Sequence, residues 1–435
     1  MSSPPNEAIP KNWKAPFFTL WTGQAVSLLG SQLVQFALIW WLTKTTGSAT
    51  VLATASLVGL LPQVLLGPLT GALVDRWNRR IIMIVADSTI ALATVVLALL
   101  FLGGDVQIWQ VYLLMFVRAT AGGFHWPAMR ASTSLMVPKE NLSRVQGLNQ
   151  MLQGGMTILS APLGALLLEL LPMQGILAID VGTAMVAILP LFFIHVPQPK
   201  RHLDQNMPEG KPSVWQDMLA GLSYVWSWPG LLIIIGMAMA INLLFAPAGS
   251  LQPILVTKHF SSGAIQLAWM QSAWGIGMFL GGLLLSAWGG FRRRILTSFV
   301  GLIVLGAGMV VVGFAPARAI GLAIAMMFVA GFALPFVNGP INAVLQGSVD
   351  PEMQGRVFSL VSSLAMAMSP LGLIIAGPVA DAFGVTTWYV IAGIVTSFLG
   401  VVGFFIPAVV RIEDGRPDTT RVEDGQPIVV TNPGD

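Results

Sequence analysis

Arg118 lies deep inside a long apolar stretch of this chain, where a guanidinium costs several kcal/mol unless it faces water or a partner. Helical spacing puts Gly122 and His125 on its face, at i+4 and i+7. Asp180 lies at a similar depth in another stretch and could be its counter-ion or a protonatable group. Asp180 and Asp87 could equally be buried structural polar groups, and Glu169, near a span end, is interfacial. A second charged device is the short hinge Gly71-Ala72-Leu73-Val74-Asp75-Arg76-Trp77-Asn78-Arg79-Arg80. Asp75, at the end of a span, can accept from a facing helix N-terminus or pair with Arg79 or Arg80 and so lock one face of the molecule. This is the chemistry of ion pairs and protons inside a membrane. With no cysteine and four scattered histidines, no metal site and no cofactor are expected. No Asp-rich loop marks a lipid-modifying enzyme, and we expect no enzyme activity.

The elements that must hold these groups follow from composition. The 435 residues are 55% hydrophobic and 9% charged, against roughly 25% charged in an ordinary soluble domain, so most of the surface faces lipid. Stretches of this length without period-two alternation satisfy their backbone as helices. The spans read as 16–43, 50–73, 81–103, 108–133, 147–170, 172–195, 229–256, 265–288, 295–315, 319–345, 357–380 and 386–408. The 46 glycines and 28 prolines suit a membrane bundle, where small residues let helices approach and neighbours re-satisfy freed carbonyls. With the N-terminus inside, all 22 lysines and arginines fall in cytoplasmic segments except Lys44, Lys258, Arg318 and the in-span Arg118. That bias sets both termini in the cytoplasm and explains the basic charge without a nucleic-acid partner. No cleavable signal peptide is expected before Trp13.

Residues 1–15 read as a cytoplasmic N-terminus, 16–196 and 229–408 as two six-helix bundles, 197–228 as a cytoplasmic loop and 409–435 as a disordered cytoplasmic tail. The loop holds an amphipathic segment from Ser213 to Leu222. The halves repeat. Lys139-Glu140 with Arg144-Val145 recurs as Glu352 with Arg356-Val357, and at the same offset the end of the hinge falls on Gly290-Phe291-Arg292. Ala287 stands where Asp75 would fall, so only the first half carries the full hinge. Gln24, Ser27, Ser31 and Gln35 share one face of the first span, and Asn338, Asn342 and Gln346 one face of the tenth. Polar stripes are costly against lipid and must face water or protein. The expected architecture is an all-α membrane bundle whose two pseudo-symmetric halves enclose a central cavity.

The hinge, Gly71-x-Leu73-x-Asp75-Arg76-x-Asn78-Arg79-Arg80, resembles motif A of the major facilitator superfamily, with Asn where glycine is commoner. Gly23-Gln24-Ala25-Val26-Ser27-Leu28, Ala178-Ile179-Asp180-Val181 and Gly355-Arg356-Val357-Phe358-Ser359-Leu360 resemble the macrolide-efflux permeases of that superfamily, with the likeness running from Trp13 to Pro407. The resemblance implies drug export across the inner membrane in exchange for protons, by a monomer that takes small amphipathic substrates. It makes Gly71, Asp75, Arg76, Arg79 and Arg80 a conformational gate and Arg118 the motif B arginine of proton coupling, with Asp180 and Asp87 as further candidates. Ser160-Ala161-Pro162-Leu163-Gly164-Ala165 resembles the antiporter motif C, a kink at Pro162 and Gly164, with Ala161 replacing the usual glycine. In this superfamily the first, fourth, seventh and tenth spans line the cavity, which adds Asn242 to the stripes. Phe245, Gln271, Trp274 and Met278 supply an apolar, adaptable wall. The first span has no carboxylate, unlike many proton-coupled multidrug carriers. A lysolipid or siderophore exporter of the same architecture is the alternative.

Overall fold

The computed structural model describes residues 12–194, 196–198, 222–350, 353–414, 422–423 and 426–427. The amphipathic segment, apart from its last residue Leu222, and most of the tail fall outside the described residues. Twelve long helices follow one another: α1 Lys14–Thr46, α2 Ala49–Arg76, α3 Arg79–Gly103, α4 Ile108–Met136, α5 Leu142–Leu170 and α6 Met173–Phe193. The second series is α7 Pro229–Ile254, α8 Ala264–Trp288, α9 Arg294–Phe314, α10 Ile320–Ser348, α11 Gln354–Phe383 and α12 Val385–Gly403. A short turn, α13 Pro407–Val410, follows.

Among the described residues, eleven helices are long and apolar enough to cross a membrane. The twelfth long helix, α4, has 29 residues and at 1.5 Å per residue is about 43 Å long, ample for a hydrocarbon core of about 30 Å. It misses only on apolarity, because it carries Arg118, His125 and Arg130. The bundle is inside-out by the standards of a soluble protein: Leu65, Leu92, Trp109, Phe193 and Phe405 are exposed, while Gln24, Asp87, Thr94, His125 and Asp180 are buried. An apolar perimeter around a polar interior is what lipid as solvent demands.

Packing repeats between the halves. Helix α1 packs on α5 and α6, α2 and α3 on α4, and α3 on α6; correspondingly α7 packs on α11 and α12, α8 and α9 on α10, and α9 on α12. The two main contacts between the halves, α2 with α11 and α5 with α8, exchange under the same operation. This is a pseudo-two-fold relation between six-helix halves, as expected from the repeat at the arginine-valine pairs.

Hydrogen bonds between the halves lie at or beyond mid-helix, away from the basic loops. Ser56 and Ser250 share a hydroxyl pair at 2.6 Å, Ser250 donates to the Leu52 carbonyl at 3.2 Å, and Ser272 donates to the Ile158 carbonyl at 2.8 Å. At the far end Asp381 of α11 receives the Ser48 hydroxyl at 2.8 Å and the backbone N–H groups of Ala49 and Thr50 at 2.8 and 2.9 Å. A carboxylate thus sits on the N-terminus of α2, where unsatisfied N–H groups and the helix dipole favour negative charge. Gly377 lets the helices come this close, since a Cβ there would stand 2.7 Å from the Thr50 Cα.

Candidate functional site

Two cavities occupy the centre, about 1000 and 800 Å³. The larger belongs mainly to the first half and runs from Ser31 and Arg118 at mid-bundle to Thr70, Arg130, Thr133 and Gln146 beside the basic loops. Of the first-span stripe, Gln24, Ser27, Ser31 and Gln35 all line it, and Asp87, Arg118 and His125 line it too. The smaller cavity is walled by the second half and takes Asn242, Phe245, Gln271, Trp274, Asn338 and Asn342. Met278 is not among the residues that line either cavity. Gln32 and Thr157 belong to both walls, so the two spaces adjoin at the interface of the halves.

Arg118 has found its partner. Its Nη1 stands 2.8 Å from Asp180 Oδ2, and the same nitrogen meets the Thr94 hydroxyl. Asp180 also accepts from Thr94 Oγ1 at 2.9 Å and from Ser31 Oγ at 3.2 Å. Four helices, α1, α3, α4 and α6, therefore close on one carboxylate that is only 1% exposed. Gly30 makes room for it: a Cβ there would be 3.1 Å from Asp180 Oδ1 and 2.2 Å from Thr183 Oγ1. Arg118, Thr94 and Ser31 thus supply both oxygens of the carboxylate, so the buried pair is compensated where it sits.

Asp87 heads a separate network. Its Oδ2 accepts from the Gln24 amide nitrogen at 2.9 Å, and its Oδ1 lies 3.2 Å from His125 Nε2. His125 Nε2 is also 2.8 Å from Gln24 Oε1, which closes a three-residue ring across α1, α3 and α4. Arg118 and Asp180 are thus brought together, and Asp87 is not part of their pair. The sequence had placed His125 on the face of Arg118 without giving it a role. Its signal was available: a histidine within an apolar span carries a polar edge that needs partners.

At the basic end the hinge arginines act on helix termini. Arg79 Nη1 donates to the Ala131 carbonyl of α4 at 2.7 Å, and its backbone N–H donates to Gln198 Oε1. Arg80 reaches the last turn of α6, with Nε 2.5 Å from the Leu191 carbonyl and Nη2 2.6 Å from that of Phe192. Arg80 there satisfies orphan carbonyls and complements the dipole of α6, while Arg79 bonds a carbonyl five residues before the end of α4. The backbone of Gly71, Asp75 and Arg76 belongs to α2, but their side chains lie outside the described residues, so the expected pairing of Asp75 is not placed. Asn78 explains its own departure from the commoner glycine: its side chain caps α3, accepting from the N–H groups of Arg80 at 3.0 Å and Ile81 at 3.4 Å. Replacing that cap, Asn78→Ala, should lower stability by about 1 kcal/mol while Asn78→Asp retains it; thermal unfolding in detergent would show it, and an Asn78→Ala protein as stable as the parent would remove the cap from this account.

In α5, Pro162 is exposed on the helix surface while Gly164 is buried against α1, where a Cβ would meet Phe36 Cδ1 at 2.8 Å. The pair marks a close approach of α5 to α1. Asp381, which ties the halves at the far end, escaped the sequence reading because a lone acid at a span end looks like an interfacial residue.

The Major Facilitator Superfamily profile matches residues 20–373. Macrolide efflux protein A of Streptococcus pyogenes is 33% identical over 391 residues, covering 90% of this chain and 96% of that protein. Multidrug efflux pump Tap of Mycolicibacterium fortuitum is 26% identical, over 87% of this chain and 92% of its own. Among solved structures, a bacterial homologue of the human lysosomal transporter Spinster, in an inward-facing and unoccupied conformation, aligns with a TM-score of 0.65 at 15% identity, covering 93% of this chain and 98% of that one.

Proposed function

Because the chain belongs to the Major Facilitator Superfamily and is a multi-pass membrane transporter, we propose that it exports small amphipathic drugs, macrolide-like compounds first among them, in exchange for protons. The efflux pumps of similar sequence support the direction and the substrate class. The observation that carries the reading is the cavity between the halves. It is polar yet nearly free of fixed charge on its second-half wall, with Asn242, Gln271, Asn338 and Asn342 beside Phe245 and Trp274. Amides and aromatic faces hold a large, weakly charged solute by shape and apolar contact with a few orienting hydrogen bonds. Strong ion pairs, which would slow release, are not needed.

In the proposed cycle both termini and the basic loops are cytoplasmic, following the distribution of lysine and arginine. The larger cavity then opens to the cytoplasm, and the bonds of Asp381, Ser250 and Ser272 close the outer side. Rocking of the halves would break those bonds and bring the basic ends together, where Asp75, Arg76, Arg79 and Arg80 form the gate with Gly71 in its bend. Arg118, Asp180 and Asp87 would couple that movement to protons, and Pro162 with Gly164 would let α5 flex against α1. The protein acts as a monomer in the inner membrane and needs no cofactor.

Inverted membrane vesicles test this. A radiolabelled macrolide should accumulate when the lumen is made acidic and stop accumulating when the gradient is collapsed, without ATP. Accumulation that ignores the gradient would overturn the antiport reading. Asn342→Leu in the cavity wall should raise the half-saturating macrolide concentration several-fold at unchanged gradient dependence, since a cavity amide lost to an apolar group removes roughly 1 kcal/mol of orienting hydrogen bonding; unchanged saturation would take Asn342 out of the substrate path.

A further inference from the structure

We infer that the exchanged proton is carried by His125, at its Nδ1 atom, with Asp87 as the fixed counter-charge and Gln24 as the element that sets the ring. The inference rests on the antiport reading and deepens it. Its argument is one of donors and acceptors. Gln24 Nε2, an amide nitrogen that can only donate, gives its hydrogen to Asp87 Oδ2 at 2.9 Å. That turns Gln24 Oε1, which can only accept, toward His125 Nε2 at 2.8 Å. Nε2 faces a second acceptor, Asp87 Oδ1, at 3.2 Å. A nitrogen between two acceptors must carry hydrogen, so the neutral ring is the Nε2–H tautomer and the free lone pair lies on Nδ1. Among the described residues Nδ1 makes no hydrogen bond, and His125 lines the cavity that reaches the basic loops.

A proton arriving through that cavity can bind Nδ1 with no rearrangement of the ring. The imidazolium so formed keeps its Nε2–H on Gln24 and Asp87, and the Asp87 carboxylate neutralises it. The charged groups nearby leave this site distinct. Asp180 of α6 is committed to Arg118, Arg118 and Arg130 of α4 line the same cavity and bring only positive charge, and α1, α2 and α5 contribute amides and hydroxyls such as Ser27, Gln63 and Asn149. Arg118 keeps its proton as guanidinium groups do, and both Asp180 oxygens are taken up by Arg118, Thr94 and Ser31. Among the described residues that line this cavity, the imidazole is the kind of side chain whose ordinary titration range includes neutral pH. A cationic or amine-bearing drug entering that space would compete with the imidazolium, so binding of one expels the other.

His125→Gln keeps a donor for Gln24 but cannot take a proton. Its expected phenotype is gradient-driven accumulation reduced at least tenfold relative to the gradient-free counterflow of the same vesicles. Gradient-driven accumulation at the parent level would overturn the inference. If the parent protein itself ignored the gradient, the antiport reading would fail instead, so the two failures are distinguishable. A second variant covers loss of folding in the first. Asp87→Asn removes the counter-charge, which disfavours the imidazolium, so the midpoint of the pH profile for coupled accumulation should move to lower pH by about one unit. An unshifted midpoint at any amplitude would overturn the inference, since a purely structural Asp87 would change only the amount of active protein.

Discussion

Asp180→Ala is expected to destabilise the folded protein by about 3–5 kcal/mol, because it leaves the Arg118 guanidinium inside the bundle with no counter-charge. The carboxylate answers three donors at once, Arg118, Thr94 and Ser31, from three different helices. Its removal therefore orphans polar groups on α1, α3 and α4 together, of which Thr94 is wholly buried. Asp180→Asn should cost less, since the amide oxygen can still accept. The double change Arg118→Met with Asp180→Leu should regain most of the stability, because exchanging both partners of a buried pair for apolar groups is often neutral. Thermal or denaturant unfolding of the four proteins in one detergent ranks them. An Asp180→Ala protein within about 0.5 kcal/mol of the parent would mean that the pair does not compensate the buried arginine. Stability regained by the double variant without transport would separate a structural pair from a coupling one.

The same residues show what the amino-acid order alone discloses. The need of Arg118 for a partner is legible, because an in-span guanidinium is costly in any fold. Depth favours Asp180 over Asp87, which lies about two turns nearer the basic loops than the Thr94 that meets Asp180, but the contact itself falls to how α6 seats against α1 and α3. Helix count, the halves and their repeat were readable from apolar length and from the recurrence of arginine-valine after the fourth span of each half. Even α4, which fails on apolarity, was placed, because its stretch is long and mostly apolar despite Arg118 and His125. The stripes of α1 and α10 were readable because spacing fixes a face. Spacing does not say how deep a face stays in the cavity, and so Met278, one turn beyond Trp274, was assigned to a wall it does not line. The ring of Gln24, Asp87 and His125 needed three helices at fixed rotation, and nothing local in the sequence encodes that.

Loss of the Asp381 carboxylate should shift the molecule toward opening at the end opposite the basic loops. Asp381→Ala deletes the contacts to Ser48, Ala49 and Thr50, the polar tie of α11 to α2 at that end. Each such bond at an exposed site is worth somewhat under 1 kcal/mol net, so the tie contributes about 2 kcal/mol. In a two-state equilibrium that is roughly a 30-fold change in the ratio of open to closed. The helix itself should survive, because Ser48 still caps α2 by accepting from the Val51 N–H at 3.3 Å. The effect is therefore on the equilibrium between conformations and not on folding. The chain has no cysteine, so a single introduced thiol reports without background. Gly59 lines the larger cavity and has nothing within 4 Å of a built Cβ, which makes Gly59→Cys a tolerated reporter. A membrane-impermeant maleimide added on the Asp381 side should label it about 30-fold faster when Asp381→Ala is also present, for as long as the closed form dominates in the parent. Equal labelling rates would show that the carboxylate is only a helix cap. Asp381→Asn, which keeps an acceptor but loses the charge, should fall between the two, because the positive end of α2 favours the carboxylate over the neutral amide.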